Sequence, residues 1–361
     1  MRIAVPREVQ DNELRVGMTP DGARALVEAG HEAVIQSGAG AGSGFPDAAY
    51  AEAGAQIAPD AEATWAAADL LVKVKQPTEE ECDLFAEGSA FFGYTHTETR
   101  PWLTRAFLDR RITAISFERV RLDDGSLPLL EPMSRIAGHM SVLIGAQLLQ
   151  TVHGGPGVMV GEMPGAGSTR VVVIGGGTVG ASAARTALAL GASVTVFEVR
   201  GERRVRLSHL LPGATIAPPE PDLVAAAVAD AWLVVNGATV PENSQVHVVT
   251  REMVRAMREG AVIVDVTADL RGAVETTVRR TTHSSPTYVE EGVVHYVVPN
   301  IPGVVPRTST LALAHASLPY LLKLATAGID AALAADPSLA AGLLCRDGEP
   351  IAPDIADQAR A

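Results

Sequence analysis

One stretch constrains the fold more than any other part of the chain. Val171-Val172-Val173-Ile174 is an unbroken β-branched run that passes directly into Gly175-Gly176-Gly177-Thr178-Val179-Gly180. Such a run is the pattern of a strand buried on both faces. A Gly-x-Gly-x-x-Gly turn between a strand and a helix is the phosphate-binding turn of a parallel βαβ unit. Gly175 permits the tight turn, Gly177 lets a pyrophosphate approach the backbone, and Gly180 lets helix and strand pack closely. Thr178 and Val179 open the helix, whose free N–H groups and dipole favour the phosphates. The next predicted strand, 193–198, ends in Glu198, eighteen residues after Gly180, where a carboxylate accepts hydrogen bonds from the adenosine ribose. A nicotinamide dinucleotide is therefore the expected cofactor. Glu198 repels a 2′-phosphate, which selects NAD. Arg200, Arg203, Arg204 and Arg206 follow it. Arginine here also accepts that phosphate, although a solvated charged turn is the simpler reading. Arg203 stands as a cofactor-contact candidate.

The rest of the chain alternates in the same way. Strands are predicted over 3–5, 33–36, 70–75, 90–96 and 112–120, with helices over 20–29 and 102–110. A second series follows: strand 171–174, helix 179–190, and strands 193–198, 232–236, 261–266 and 295–298. Strands alternating with helices imply parallel sheets covered on both faces. Two long, mostly apolar helices, 133–152 and 309–327, read as connectors, with a loop over 300–308 before the second. The expected class is α/β in two domains joined by these helices. A doubly wound Rossmann domain occupies 129–305, and a discontinuous α/β substrate domain is built from 1–128 and 306–361.

Composition narrows the functions. The chain has 361 residues, 47% hydrophobic and 20% charged, enough for two packed cores. A net charge of −13 makes nucleic acid and anionic membranes poor partners. Cys82 and Cys345 offer neither a zinc spacing nor a disulfide framework. No metal is expected. No apolar leader opens the sequence and no run is long enough for a membrane span, so the chain reads as cytoplasmic.

Ligands of open α/β sheets sit beyond the carboxyl ends of the strands. That rule nominates Lys75, His96, Glu198 and Asp269, each at or just past a predicted strand end. Each also has an ordinary reading. A lysine there is usually only solvated, and a lone histidine among nine is more often packed than catalytic.

Beside this reading stands a resemblance that covers essentially the whole chain. Ile3-Ala4-Val5-Pro6-Arg7-Glu8, Asn12-Glu13-Leu14-Arg15-Val16, Leu71-Val72-Lys73-Val74-Lys75-Gln76-Pro77, Tyr94-Thr95-His96, Leu129-Leu130-Glu131-Pro132-Met133-Ser134 and Pro302-Gly303-Val304-Val305-Pro306-Arg307-Thr308, with the glycine turn, occur in this order. The sequence resembles the alanine dehydrogenases and the related NAD-binding part of proton-translocating transhydrogenase. The resemblance implies reversible oxidative deamination of L-alanine to pyruvate and ammonia with NAD, an active site in the cleft between the domains, and a homohexamer. It implies that Arg15 clamps the substrate carboxylate, Lys75 bonds the carbonyl or imine, His96 acts as general acid and base, and Asp269 positions the nitrogen or water. Met133 and Asn300 join the substrate candidates. Ser134, Thr239, Val240, Val266, Asp269 and Asn300 join the cofactor candidates.

The sequence departs from the family pattern in places. Leu270 and Arg271 stand where the family has a polar amide and a glycine after the aspartate, and Arg135 stands where it has an acid. Pairing of both arginines with nearby carboxylates is the expectation, and a more acidic substrate is the alternative. The segment Ala238-Thr239-Val240-Pro241-Glu242-Asn243 replaces a more apolar loop. Open alternatives are another small 2-oxo or amino acid as substrate, a transhydrogenase-type component, and a dinucleotide sensor without catalysis.

Overall fold

The alternation of strands and helices builds two sheets, each inside its own compact unit. A computed structural model describes residues 1–240 and 246–360. The units are 1–133 with 305–361, and 134–304. Pro241, Glu242 and Asn243 of the altered loop lie outside the described residues.

The first unit carries an eight-stranded sheet. Its order is Glu349–Pro350, Leu343–Arg346, Thr113–Ser116, Ala90–Gly93, Leu70–Val72, Arg2–Val5, Glu32–Gln36 and Gln56–Ala58. The six strands from Thr113–Ser116 onward pair in parallel. The other two are antiparallel, so this sheet is not purely parallel as the alternation implied. The cause is local. Asp347 and Gly348 have φ of +50° and +83°, the left-handed pair that closes a two-residue hairpin. Under the sheet, Trp65, Phe85, Phe91 and Phe107 pack ring on ring, with centroids 4.8–6.2 Å apart.

The second unit carries a seven-stranded sheet in the order Thr215–Ala217, Ser193–Phe197, Arg170–Ile174, Leu233–Asn236, Val262–Asp265, Val293–Tyr296 and Thr287–Glu290. Only the last pair is antiparallel, and again a left-handed Glu291-Gly292 pair closes its hairpin. The strand order reverses between Arg170–Ile174 and Leu233–Asn236, the place where a doubly wound sheet opens a ligand crevice. Helix Thr178–Ala189 buries Ala183, Ala184 and Ala187 against Val171, Val173 and Val235. Gly138 brings helix Glu131–Leu148 onto it: a Cβ at Gly138 would lie 2.2 Å from the Val179 carbonyl oxygen.

Several expected boundaries move. The strand predicted over 70–75 stops at Val72, and that over 90–96 stops at Gly93. Both chains then leave the sheet as loops held by side chains. The strand expected over 112–120 is Thr113–Ser116, followed by a single 3₁₀ turn, Phe117–Arg119. The helix predicted over 133–152 runs Glu131–Leu148, and that over 309–327 begins at Pro306. Proline suits the first helical position, where its missing N–H costs nothing. Among the described residues no helix is long and apolar enough to cross a membrane.

Candidate active site

In the first unit the expected substrate residues gather at the carboxyl ends of the parallel strands. Glu13 holds Arg15 by two bonds, Nε to Oε1 at 2.7 Å and Nη2 to Oε2 at 2.5 Å. The guanidinium is fully buried, and its Nη1 rests on the Met133 sulfur at 3.2 Å. A carboxylate that takes two bonds from one edge of a guanidinium fixes the plane and direction of the whole group.

Lys75 lies three residues beyond its strand, which ends at Val72. Glu8 sets the path of that loop, accepting from the Val74 N–H at 2.7 Å and the Lys75 N–H at 3.3 Å. Glu8 is itself anchored by buried Lys73, whose Nζ lies 3.0 Å from Glu8 and 2.9 Å from Glu81. The neighbouring lysines thus have opposite fates. Lys73 is locked between carboxylates and stays charged. Lys75 is half-buried, and its Nζ has no hydrogen-bond or ion-pair partner among the described residues. Burial, and then the charge of Arg15, lower its pKa to about 8.

His96 follows a strand that ends at Gly93 and adopts φ +46°, a left-handed backbone. Its ring stacks on Tyr94 with centroids 6.0 Å apart and planes 8° apart. Tyr94 is fixed in turn by a 2.5 Å bond from its hydroxyl to the Leu129 carbonyl. His96 Nδ1 faces Glu98 at 3.5 Å and Glu118 at 3.9 Å.

In the second unit the glycine turn has the shape its spacing requires. Gly175 has φ +88°. A Cβ at Gly180 would sit 1.8 Å from the Gly175 carbonyl oxygen, whereas one at Gly177 would meet nothing within 4 Å. The first glycine turns the chain, the last admits the helix, and the middle one leaves open space. A cleft of about 400 Å³ lies there, lined among others by Gly175, Gly177, Glu198, Arg203, Thr239 and Val240. Its size suits a ligand portion such as a nucleotide. Thr178 and Val179 begin the helix behind it.

Glu198 stands one residue past its strand, 3% exposed. Its Oε2 accepts from the Gly176 N–H at 2.9 Å and from Arg203 at 3.1 Å, and its Oε1 from the Arg200 N–H at 2.8 Å. Burial would raise its pKa, but these bonds outweigh burial and hold it below the ordinary carboxyl value. A charged acceptor at the cleft wall, open space over Gly177 and an N-terminal helix turn together fit a dinucleotide. Arg203 is committed to Glu198, and Arg204 to the carbonyls of Glu198 and Val199.

Asp269 lies in a loop past strand Val262–Asp265 rather than at its tip. Fully buried Asp265 knits that loop, accepting from Asn236 at 2.8 Å, Thr267 at 2.8 Å, the Ala268 N–H at 3.2 Å and Thr277 at 2.6 Å. Val266 donates its N–H to the Asn236 carbonyl at 2.9 Å. The Asn300 carbonyl takes bonds from the Gly303 N–H and the His283 ring, both at 2.9 Å. Ser134 is half-buried near the start of helix Glu131–Leu148. Leu270 is 53% exposed, and Arg271 is exposed with φ +52°. The expected pairing of Arg271 is not found: its side chain has no hydrogen-bond or ion-pair partner among the described residues. Arg135 is exposed and does have a partner.

Strand-end reasoning nominated Lys75, His96, Glu198 and Asp269 but not the carboxylates that seat their loops. Glu8, Glu13, Glu118 and Asp265 received no role. Glu8 and Glu13 sat inside recognisable motifs, and Asp265 is the polar end of an apolar run, so a signal existed. Glu118 carried none.

Two family models cover nearly the whole chain: the alanine dehydrogenase/PNT N-terminal domain matches residues 4–137 and the C-terminal domain matches 141–353. Alanine dehydrogenase 2 of Staphylococcus aureus (strain USA300) is 44% identical over 344 residues, 95% of this chain and 92% of the relative. A solved L-alanine dehydrogenase superposes with TM-score 0.94 at 42% identity, covering 100% of this chain and 99% of that one. A transhydrogenase from Sinorhizobium meliloti shares the fold at TM-score 0.82 and 24% identity, covering 98% of this chain and 100% of its own.

The empty space over Gly177 makes a direct test. Gly177→Val should leave the melting temperature within about 2 °C of the parent while weakening dinucleotide binding by more than about tenfold, roughly 1.4 kcal/mol. Gly180→Ala, with its Cβ driven into a carbonyl, should lower the melting temperature itself. Equal binding by the Gly177 variant in a fluorescence titration would place the phosphates elsewhere.

Proposed function

The chain belongs to the alanine dehydrogenase/PNT family, and on that premise we propose that it is an NAD-dependent L-alanine dehydrogenase. It would interconvert L-alanine and water with pyruvate and ammonia. The observation that carries this reading is the grouping of Arg15, Lys75 and His96 within one unit, where two cations and one imidazole answer a carboxylate, a carbonyl and a proton.

A bound nicotinamide dinucleotide supplies the hydride acceptor for deamination and the donor for the reverse reaction. The chain's own residues do the rest. Arg15, braced by Glu13, directs Nη1 at the substrate carboxylate, and Met133 yields that edge. Holding the carboxylate fixes which face of Cα is presented, the largest gain available from positioning. Lys75, as the ammonium, polarises the pyruvate carbonyl and stabilises negative charge growing on its oxygen. His96 moves the proton between water and substrate, a task suited to an imidazole, which offers one donor and one acceptor nitrogen. Asp269 would orient the nitrogen or the attacking water, with Asp265 holding its loop. Thr239, Val240, Ser134, Val266 and Asn300 would contact the cofactor. Glu198 would take the ribose hydroxyls and repel a 2′-phosphate, and with Arg203 and Arg204 already engaged NAD is favoured over NADP.

The experiment is NADH oxidation with pyruvate and ammonium, run beside NADPH and a panel of other 2-oxo acids. Turnover of pyruvate with NADH, well above NADPH, is the expected result. Confirmed NADH binding with turnover only of a diacid would move the substrate assignment toward Arg271. His96→Ala should bind NADH as the parent does and lose about 10²–10⁴-fold in kcat; undiminished turnover would remove His96 from the mechanism.

Lys75 adds a pH dependence with a definite sign. Its pKa is lowered to about 8, so the ammonium is present below pH 8 and is lost as pH rises through it. Apparent pyruvate affinity should therefore fall above pH 8, by about tenfold per further pH unit. Lys75→Arg, which stays charged, should flatten that limb. An alkaline limb identical in parent and variant would assign it to another group.

A further inference from the structure

His96 holds a backbone conformation that a residue with a side chain seldom takes, φ +46°. Such a conformation persists where its surroundings over-determine it. The group that does so is Glu118, in the single 3₁₀ turn Phe117–Arg119 that follows strand Thr113–Ser116. That strand pairs in parallel with Ala90–Gly93, so both chains leave the sheet side by side. Glu118 Oε1 accepts from the His96 N–H at 2.7 Å, the Thr95 N–H at 3.0 Å and the Thr95 hydroxyl at 3.0 Å. Its Oε2 reaches the Thr95 N–H at 3.3 Å. The same Oε1 lies 3.9 Å from His96 Nδ1, and the carboxylate is only 14% exposed.

We propose that Glu118 is the positioning residue of His96, seating its left-handed backbone and setting the charge opposite the imidazole. This rests on the acid–base role given to His96 above. A carboxylate gripping consecutive backbone N–H groups fixes the peptide plane, and with it the direction in which the side chain leaves the loop. Stacking on Tyr94 then fixes the ring about its remaining torsion. The other charged groups facing His96 are few. Glu98, on its own turn, lies 3.5 Å from Nδ1 but is 53% exposed and screened by solvent. Arg100 donates to the His96 carbonyl at 3.4 Å, and Arg119, beside Glu118, is paired with Asp354. Of the two carboxylates facing Nδ1, Glu118 is the better shielded, 14% exposed against 53%.

Two substitutions separate the two actions. Glu118→Gln keeps a carbonyl oxygen where Oε1 sits, so the backbone seat survives while the charge is lost. Glu118→Ala removes both. The readouts are the His96 ring titration followed by NMR, kcat and KM for pyruvate against pH, and NADH affinity. The ring resonance is assigned by its loss in His96→Ala. Glu118→Gln should move the ring's titration midpoint, with the matching limb of the kcat profile moving equally. Glu118→Ala should lower kcat by about 10²-fold, with NADH affinity unchanged in both. An unmoved midpoint with parental kcat in both variants would overturn the proposal. So would a midpoint that responds to Glu98→Gln and not to Glu118→Gln. Should the parent consume no NADH while its ring titration still responds to Glu118→Gln, the functional reading fails and the positioning stands.

Discussion

Buried or half-buried carboxylates that accept from backbone N–H groups just past the strand ends are the constraint on which both sites rest. Glu8 grips Val74 and Lys75, Glu118 grips Thr95 and His96, Glu198 grips Gly176 and Arg200, and Asp265 grips Ala268. A parallel strand ends with its last N–H and carbonyl groups unpaired, and the loop beyond would otherwise solve that problem with water. A charged acceptor solves it within the protein. Each such bond is worth about 1.5–3 kcal/mol and leaves the loop one conformation.

The device has a cost that the structure answers locally. A carboxylate taken out of water must be compensated or it protonates. Glu8 is paired with Lys73, which is shared with Glu81, although burial still raises its pKa; Glu198 is paired with Arg203, and Asp265 meets a full set of hydroxyl, amide and N–H donors. Lys75 is the exception, a half-buried cation whose ammonium meets no acceptor among the described residues. An unpaired ammonium beside paired charges marks where a ligand's own charge is expected.

The sequence was most legible where a local rule has a single physical solution. The run Val171–Ile174 into three spaced glycines could only be a strand, a turn and a close-packed helix, and Gly175, Gly177 and Gly180 take up those separate tasks. The strand-end rule nominated Lys75 and His96 although their strands stop at Val72 and Gly93, because the error moved the boundary and left each residue past the same end of the sheet. The antiparallel edges were missed although Asp347-Gly348 is a hairpin turn by type; short strands beside it gave too little periodicity. Glu118 was illegible because its partners lie 22 and 23 residues away, in a loop whose left-handed backbone no local pattern announces.

The central claim is that these residues hold Cα of an amino acid for direct hydride transfer. It is tested most directly by incubating the protein with L-alanine deuterated at Cα and NAD, then weighing the reduced cofactor by mass spectrometry. The account predicts NADH heavier by one deuterium, with pyruvate formed in equal amount. Unlabelled NADH, or pyruvate formed without cofactor reduction, would contradict it.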